Sequence, residues 1–205
     1  MNISELNDWL LSEHQQPLII GILNVTPDSF TDGGKFLDHN TAVNHAMDMI
    51  DNGADIIDIG GESTRPFSDP VSEEEELSRV ISVIQKIREK TDIVISIDTT
   101  KSVVAEKACD AGANIINDIS ALSFDHHMID TVNKYDCPII LMHMIGNPKT
   151  MQKSPSYSNI IPQITDHLLS RANFALSSGV KKHNIILDPG IGFGKTVDDN
   201  FTIIN

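Results

Sequence analysis

Asn24, Asp98, Asn117 and Asp188 each close a short apolar run, and Thr64 and Arg65 stand just past another. Carboxylates accept paired charge-assisted hydrogen bonds, an amide both donates and accepts, and an arginine offers a planar fork of donors. Five polar exits on one chain are hard to ascribe to chance. In a (β/α)8 barrel the C-terminal ends of the strands form the active-site face, so residues scattered in sequence converge on one pocket. Asp and Asn also cap helices and start turns, a reading that weakens as the exits accumulate.

The elements that must position these residues are readable from hydrophobic pattern. Apolar runs at Pro17 to Asn24, Asp55 to Gly61, Asp92 to Asp98, Asn114 to Asp118, Pro138 to His143 and Asn184 to Asp188 predict strands. Their hydrophobicity is continuous rather than alternating, as a parallel strand covered on both faces requires. Helical patterns between them indicate βαβ units. Thr41 to Asn52 and Lys101 to Ala111 read as helices stopped by Gly53 and Gly112. Ser72 and Glu75 have the spacing of a capping box ahead of Leu77, Val80, Ile81 and Ile84. Glu73 through Glu76 are expected to be helix-start charge and nothing more. A weak repeat, Gly53 to Asp58 and Gly112 to Asn117, has the form helix stop, strand, polar exit.

At 205 residues, 40% hydrophobic and 21% charged, the chain is sized for one globular domain. Its formal charge of -14 argues against nucleic acid, which is held by clustered Lys and Arg. No apolar run reaches the roughly 18 residues a membrane span needs, and the N-terminus lacks a basic region followed by an apolar one. A cytoplasmic protein without membrane partners is expected. Cys109 and Cys137 have no metal-ligand spacing and are expected to be reduced, structural residues.

Six motifs occupy the predicted strand exits in order: GILNVTPDSFTDGG from Gly21, GGESTRP from Gly60, SIDTTK from Ser96, NDIS from Asn117, LMHMIGNPKTMQ from Leu141 and DPGIGFGKT from Asp188. In these motifs the chain resembles the dihydropteroate synthases, enzymes of folate biosynthesis, over nearly its whole length. The resemblance implies an α/β fold, a TIM (β/α)8 barrel of which about six of eight βα units are present. Residues 1–205 would form a single pterin-binding domain lacking the last two units. It also implies a transferase that joins 6-hydroxymethyl-7,8-dihydropterin pyrophosphate to p-aminobenzoate, is inhibited by sulfonamides, and in full-length form is a homodimer.

By that resemblance Asp98, Asn117 and Asp188 hold the pterin, whose amino group and ring N–H match a carboxylate. Met142 and Phe193 would line its flat faces, although both are equally readable as core. Asn24 falls at the family's Mg²⁺-binding position, and Thr64 and Arg65 would take pyrophosphate oxygens. Asn24, Arg65 and Asp98 are thus the expected catalytic residues. Pro27, Ser29 and Phe30 lie in a loop that would close over the p-aminobenzoate pocket, or be an ordinary surface loop. His143 is expected to be a pocket residue rather than a metal ligand.

Two departures qualify the match. Phe67-Ser68-Asp69 stand where many members of the family have glycine after Arg65-Pro66, so the second loop is expected to close differently. The chain stops within the helix after the sixth strand, leaving open sheet edges, and little synthase activity is expected from it alone. Two alternatives stay open: a pterin-dependent corrinoid methyltransferase domain, and a non-catalytic pterin-binding fragment. GFGKT (Gly192 to Thr196) is not a phosphate-binding loop of the GxxxxGK[ST] type, because the first glycine would fall at Pro189.

Overall fold

The computed structural model describes residues 1–26, 39–65 and 68–205. Strands β1 (Ile20–Asn24), β2 (Ile56–Gly60), β3 (Val94–Asp98), β4 (Ile115–Asp118), β5 (Ile139–Met142) and β6 (Ile185–Asp188) form one parallel sheet in sequence order. Each strand falls inside its predicted run. Helices α1 (Ile3–Leu11), α2 (His39–Asp51), α3 (Glu73–Arg88), α4 (Ser102–Ala111), α5 (Met128–Tyr135), α6 (Ile160–Ser177) and α7 (Val197–Ile204) complete the chain. Gly53 and Gly112 end α2 and α4 with positive φ, 100° and 116°, the left-handed turn that glycine makes without steric cost.

The sheet separates two cores. On its outer face Ile57, Ile59, Ile95, Ile97, Ile116 and Leu141 pack with helix residues such as Val80, Ile84 and Val104. On its inner face Ile56, Val94, Ile115 and Ile140 meet Leu6 and Leu10 of α1, which plugs the N-terminal end of the strands. The N-terminal amino group also donates to the Asp55 carbonyl at 3.1 Å, and Val94 donates to the Met1 carbonyl at 2.9 Å. Strands β1 and β6 are the two edges of the sheet, and Ile22 and Leu187 on them are exposed.

Two expectations at α3 need correction. Ser72 Oγ accepts from the Glu75 amide at 3.2 Å, but the reciprocal half of the capping box is not made, because the Glu75 carboxylate turns to Arg79 one turn along. Nor are the four glutamates only helix-start charge. Glu76 is fully buried and paired with Lys101, since the helix face that carries Leu77, Val80 and Ile84 inward rotates this carboxylate inward too. Of the cysteines, Cys109 is half-buried and Cys137 buried, and both are free thiols. They neighbour each other, and the Cys137 sulfur pushes the Cys109 thiol pKa up.

Candidate active site

Sheet register brings the predicted residues together. Asn24 pairs with Gly60, Gly60 with Asp98, and Asp98 with Asn117, giving one row across four strands. Residues paired across a parallel sheet share a face, and alternation along each strand puts this row on the inner face, one step beyond Ile22, Asp58, Ser96 and Ile115. Gly60 contributes no side chain. A Cβ there would stand 3.4 Å from Asp98 Oδ2 and 3.6 Å from Asn24 Oδ1, so an amide oxygen and a carboxylate oxygen flank the space that glycine leaves. Beneath the row, Asn117 Nδ2 donates to Asp58 Oδ2 at 3.1 Å.

Asp188 and Met142 are register partners on β6 and β5, one step nearer the exits than Ile140, the partner of Asn117. Asp188 Oδ1 accepts from the Gly190 amide at 2.7 Å. Gly190 has φ 68°, and a Cβ on it would lie 2.1 Å from the His143 carbonyl oxygen and 3.0 Å from Met142 Cγ, so only glycine lets this loop cross the end of β5. Lys195 locks the crossing. Its buried Nζ donates to the carbonyls of Gly190 (2.8 Å), Phe193 (2.9 Å) and His143 (3.2 Å) and lies 3.1 Å from His143 Nδ1. Burial lowers the Lys195 pKa to about 8. Burial, and then the Lys195 charge, lowers His143 to about 4. His143 is therefore neutral near pH 7 and packs edge-on against His167 at 5.0 Å. Met142 is buried and Phe193 half-buried.

The β2 exit is held from two sides. Arg79 of α3 donates to the Gly61 carbonyl at 2.6 Å, and Lys101, past the end of β3, pairs with both Glu62 and Glu76. A cavity of about 310 Å³ opens beside Asp98, lined also by Thr64, Thr99, Lys101, Phe124 and Lys149. Arg65 is exposed, and its guanidinium bonds to no other described residue. Lys149 pairs with Asp69 at 2.5 Å, which ties the loop after β2 to the loop after β5. Ser68, beside it, donates to the Ser63 carbonyl at 2.5 Å. Pro27, Ser29, Phe30 and Phe67 lie outside the described residues.

Residues 20–205 match the pterin-binding enzyme family. The chain is 52% identical over 191 residues to the dihydropteroate synthase of Clostridium beijerinckii, covering 93% of this chain and 68% of that protein. It is 46% identical over 199 residues to that of Synechocystis, covering 97% and 68%. The chain belongs to the dihydropteroate synthase family. Its fold superposes on the solved Yersinia pestis synthase in complex with a sulfonamide drug with a TM-score of 0.86, at 42% identity, covering 92% of this chain and 68% of that one. For the Xanthomonas albilineans synthase in complex with 7,8-dihydropteroate the TM-score is 0.81, at 38% identity, covering 92% and 66%. The chain thus spans about two thirds of the length of these relatives, and its six strands are part of the TIM barrel those synthases share.

The site is strongly acidic. Burial, then the charges of Asp58, Glu76, Asp118 and Glu62, push the Asp98 pKa well above the usual carboxylate range. Asp58 is also raised, chiefly by burial, and Asp188 raises it further from across the sheet. The Asn24 and Asp98 oxygens that flank Gly60 are hard donors, of the kind Mg²⁺ takes together with substrate phosphate and water. Among the described residues no group of three or more His, Cys, Asp or Glu side chains is placed to hold a metal.

Sequence reading missed Asp58, Glu76, Lys101 and Lys195. Asp58 lies two residues inside its strand rather than at the exit. A polar residue within a run otherwise buried on both faces was the available signal.

Proposed function

We propose that this chain supplies the strand-exit site at which a dihydropteroate synthase binds 6-hydroxymethyl-7,8-dihydropterin pyrophosphate and joins it to p-aminobenzoate, forming 7,8-dihydropteroate and releasing pyrophosphate. The observation that carries this reading is the single register row of Asn24, Asp98 and Asn117, with Asp188 beyond it, in a member of the synthase family. Asp98, Asp188 and Asn117 would take the donor edge of the pterin, while Met142 and Phe193 pack near its faces. Thr64 and the exposed Arg65 would hold pyrophosphate oxygens, the arginine through its planar fork of donors. Pro27, Ser29 and Phe30 would contribute to the p-aminobenzoate side.

In the reaction the bond from the exocyclic methylene carbon to the pyrophosphate oxygen breaks, a bond to the amine nitrogen forms, and the amine loses a proton. Mg²⁺, when bound by Asn24 and Asp98, would supply charge neutralisation on the leaving pyrophosphate. The acidic groups Asp98 and Asp188 beside the ring would favour positive charge developing on it as the leaving group departs. The same reading takes residues 1–205 as one pterin-binding domain, sulfonamides as competitors of p-aminobenzoate, and a homodimer as the assembled form.

Calorimetric titration of the purified chain with the pterin pyrophosphate, with and without Mg²⁺, tests the reading directly. Mg²⁺-strengthened binding that is lost in Asp98→Asn supports it, and a folded chain that binds no pterin overturns it.

A further inference from the structure

Two buried aspartates near the site differ in how they are satisfied. Asp118 uses both oxygens within its own loop, accepting from the Ser120 amide and hydroxyl and from the Leu122 amide. That is the pattern of a carboxylate kept for structure. Asp58, only 8% exposed, accepts from Asn117 Nδ2 at 3.1 Å, and beyond that its carboxylate has the Ser96 hydroxyl on the neighbouring strand to stabilise its charge. Among the described residues it takes no backbone donor, unlike Asp118, and its clearest partner is the amide of a candidate ligand-binding residue.

We propose that Asp58 is a positioning residue that fixes which end of the Asn117 amide faces the ligand. With Nδ2 donating to Asp58, Oδ1 is the amide atom left for a ligand, in the same register row as Asp98. The reversed amide would bring two acceptor oxygens together in a buried space, so Asp58 selects one orientation. The strand exits then present a wall of acceptors: Asp98, Asn117 Oδ1 and Asp188. Such a wall accepts a heterocycle edge made of N–H groups and repels one carrying a carbonyl oxygen there. The inference rests on the pterin reading and adds to it the residue that sets the polarity of one contact.

The test compares wild type, Asp58→Leu, which is similar in volume and has no acceptor, and Asp58→Asn, which keeps an acceptor oxygen. Thermal unfolding establishes that each is folded. Each is titrated with 6-hydroxymethylpterin and with the same ring bearing oxygen in place of the 2-amino group. Wild type prefers the amino ring. Asp58→Leu weakens it by roughly tenfold or more, the scale of one lost polar orientation, and narrows the preference between the two rings. Asp58→Asn stays within about threefold of wild type. Equal losses in the Leu and Asn variants would assign the effect to charge and overturn the proposal, as would a folded Leu variant with unchanged affinity and preference.

A readout without ligand keeps this inference separate from the proposed function. The Asn117 side-chain amide protons in the free protein should exchange slowly in wild type and fast in Asp58→Leu. If they behave alike, the positioning role falls even when pterin binds. If wild type binds no pterin, the functional reading falls and the amide comparison alone decides whether Asp58 orients Asn117.

Discussion

Lys101, just past β3, places its ammonium 2.5 Å from a carboxylate oxygen of Glu76, a residue of α3 with no solvent exposure. Glu62 shares the same ammonium, and the other Glu76 oxygen has no hydrogen-bond partner among the described residues. One cation therefore holds two acids and connects the β2 exit, the β3 exit and α3.

Removing that cation should cost more than an ordinary surface pair. Lys101→Met leaves Glu76 buried and unpaired, and breaking a buried pair costs about 3–5 kcal/mol. The lower end is expected because the lysine side chain is partly exposed. Urea unfolding checks this, and Lys101→Met combined with Glu76→Gln should recover part of the loss, because the uncompensated charge is gone.

Asp98→Asn should separate binding from stability. Losing a hydrogen bond to a charged group costs about 1.5–3 kcal/mol, or roughly tenfold to a hundredfold in pterin affinity. Stability should hold or rise, since the change removes a charge crowded by Asp58, Glu76, Asp118 and Glu62. Because the folded Asp98 carboxyl keeps its proton to higher pH than the unfolded one, the folded state binds more protons and stability falls as pH rises through that window. Melting curves against pH should lose this component in the variant.

His143 gives the opposite slope. Its folded pKa is about 4 against an ordinary value of 6.5, so between these values the unfolded state binds more protons and stability falls as pH drops. His143→Gln should flatten melting temperature against pH across that range while leaving it little changed at pH 7.5.

Gly190→Ala should be severe. The left-handed φ costs an alanine about 1–2 kcal/mol, and its Cβ would stand 2.1 Å from the His143 carbonyl oxygen, so the loop carrying Asp188 must move. A loss of stability above about 2 kcal/mol, together with loss of pterin binding, is expected from denaturation and titration of one preparation.

The strands, their parallel arrangement and the convergence of Asn24, Asp98, Asn117 and Asp188 were readable because continuous apolar runs ending in polar residues are a local signal. What sequence could not supply was the direction of a side chain fixed by distant partners. Glu76 looks like its three neighbours in a run of acids, and only packing of α3 against the β3 exit makes it a buried partner of Lys101. Lys195 sits in a glycine-rich string that invites a phosphate-binding reading, yet three backbone carbonyls converge on it. Those carbonyls come from two strand exits, a juxtaposition that no window of sequence contains.

The bare face of Gly60 bears on how this family can change over time. A methyl group there meets Asp98 and Asn24 at ordinary contact distances, 3.4 and 3.6 Å, so Gly60→Ala would leave β2 paired and the core filled. It would nevertheless occupy the gap between the two oxygens. Folding and chemistry can thus part company at one hydrogen atom: drift at this position would yield an ordered protein that selection for stability retains and selection for catalysis rejects.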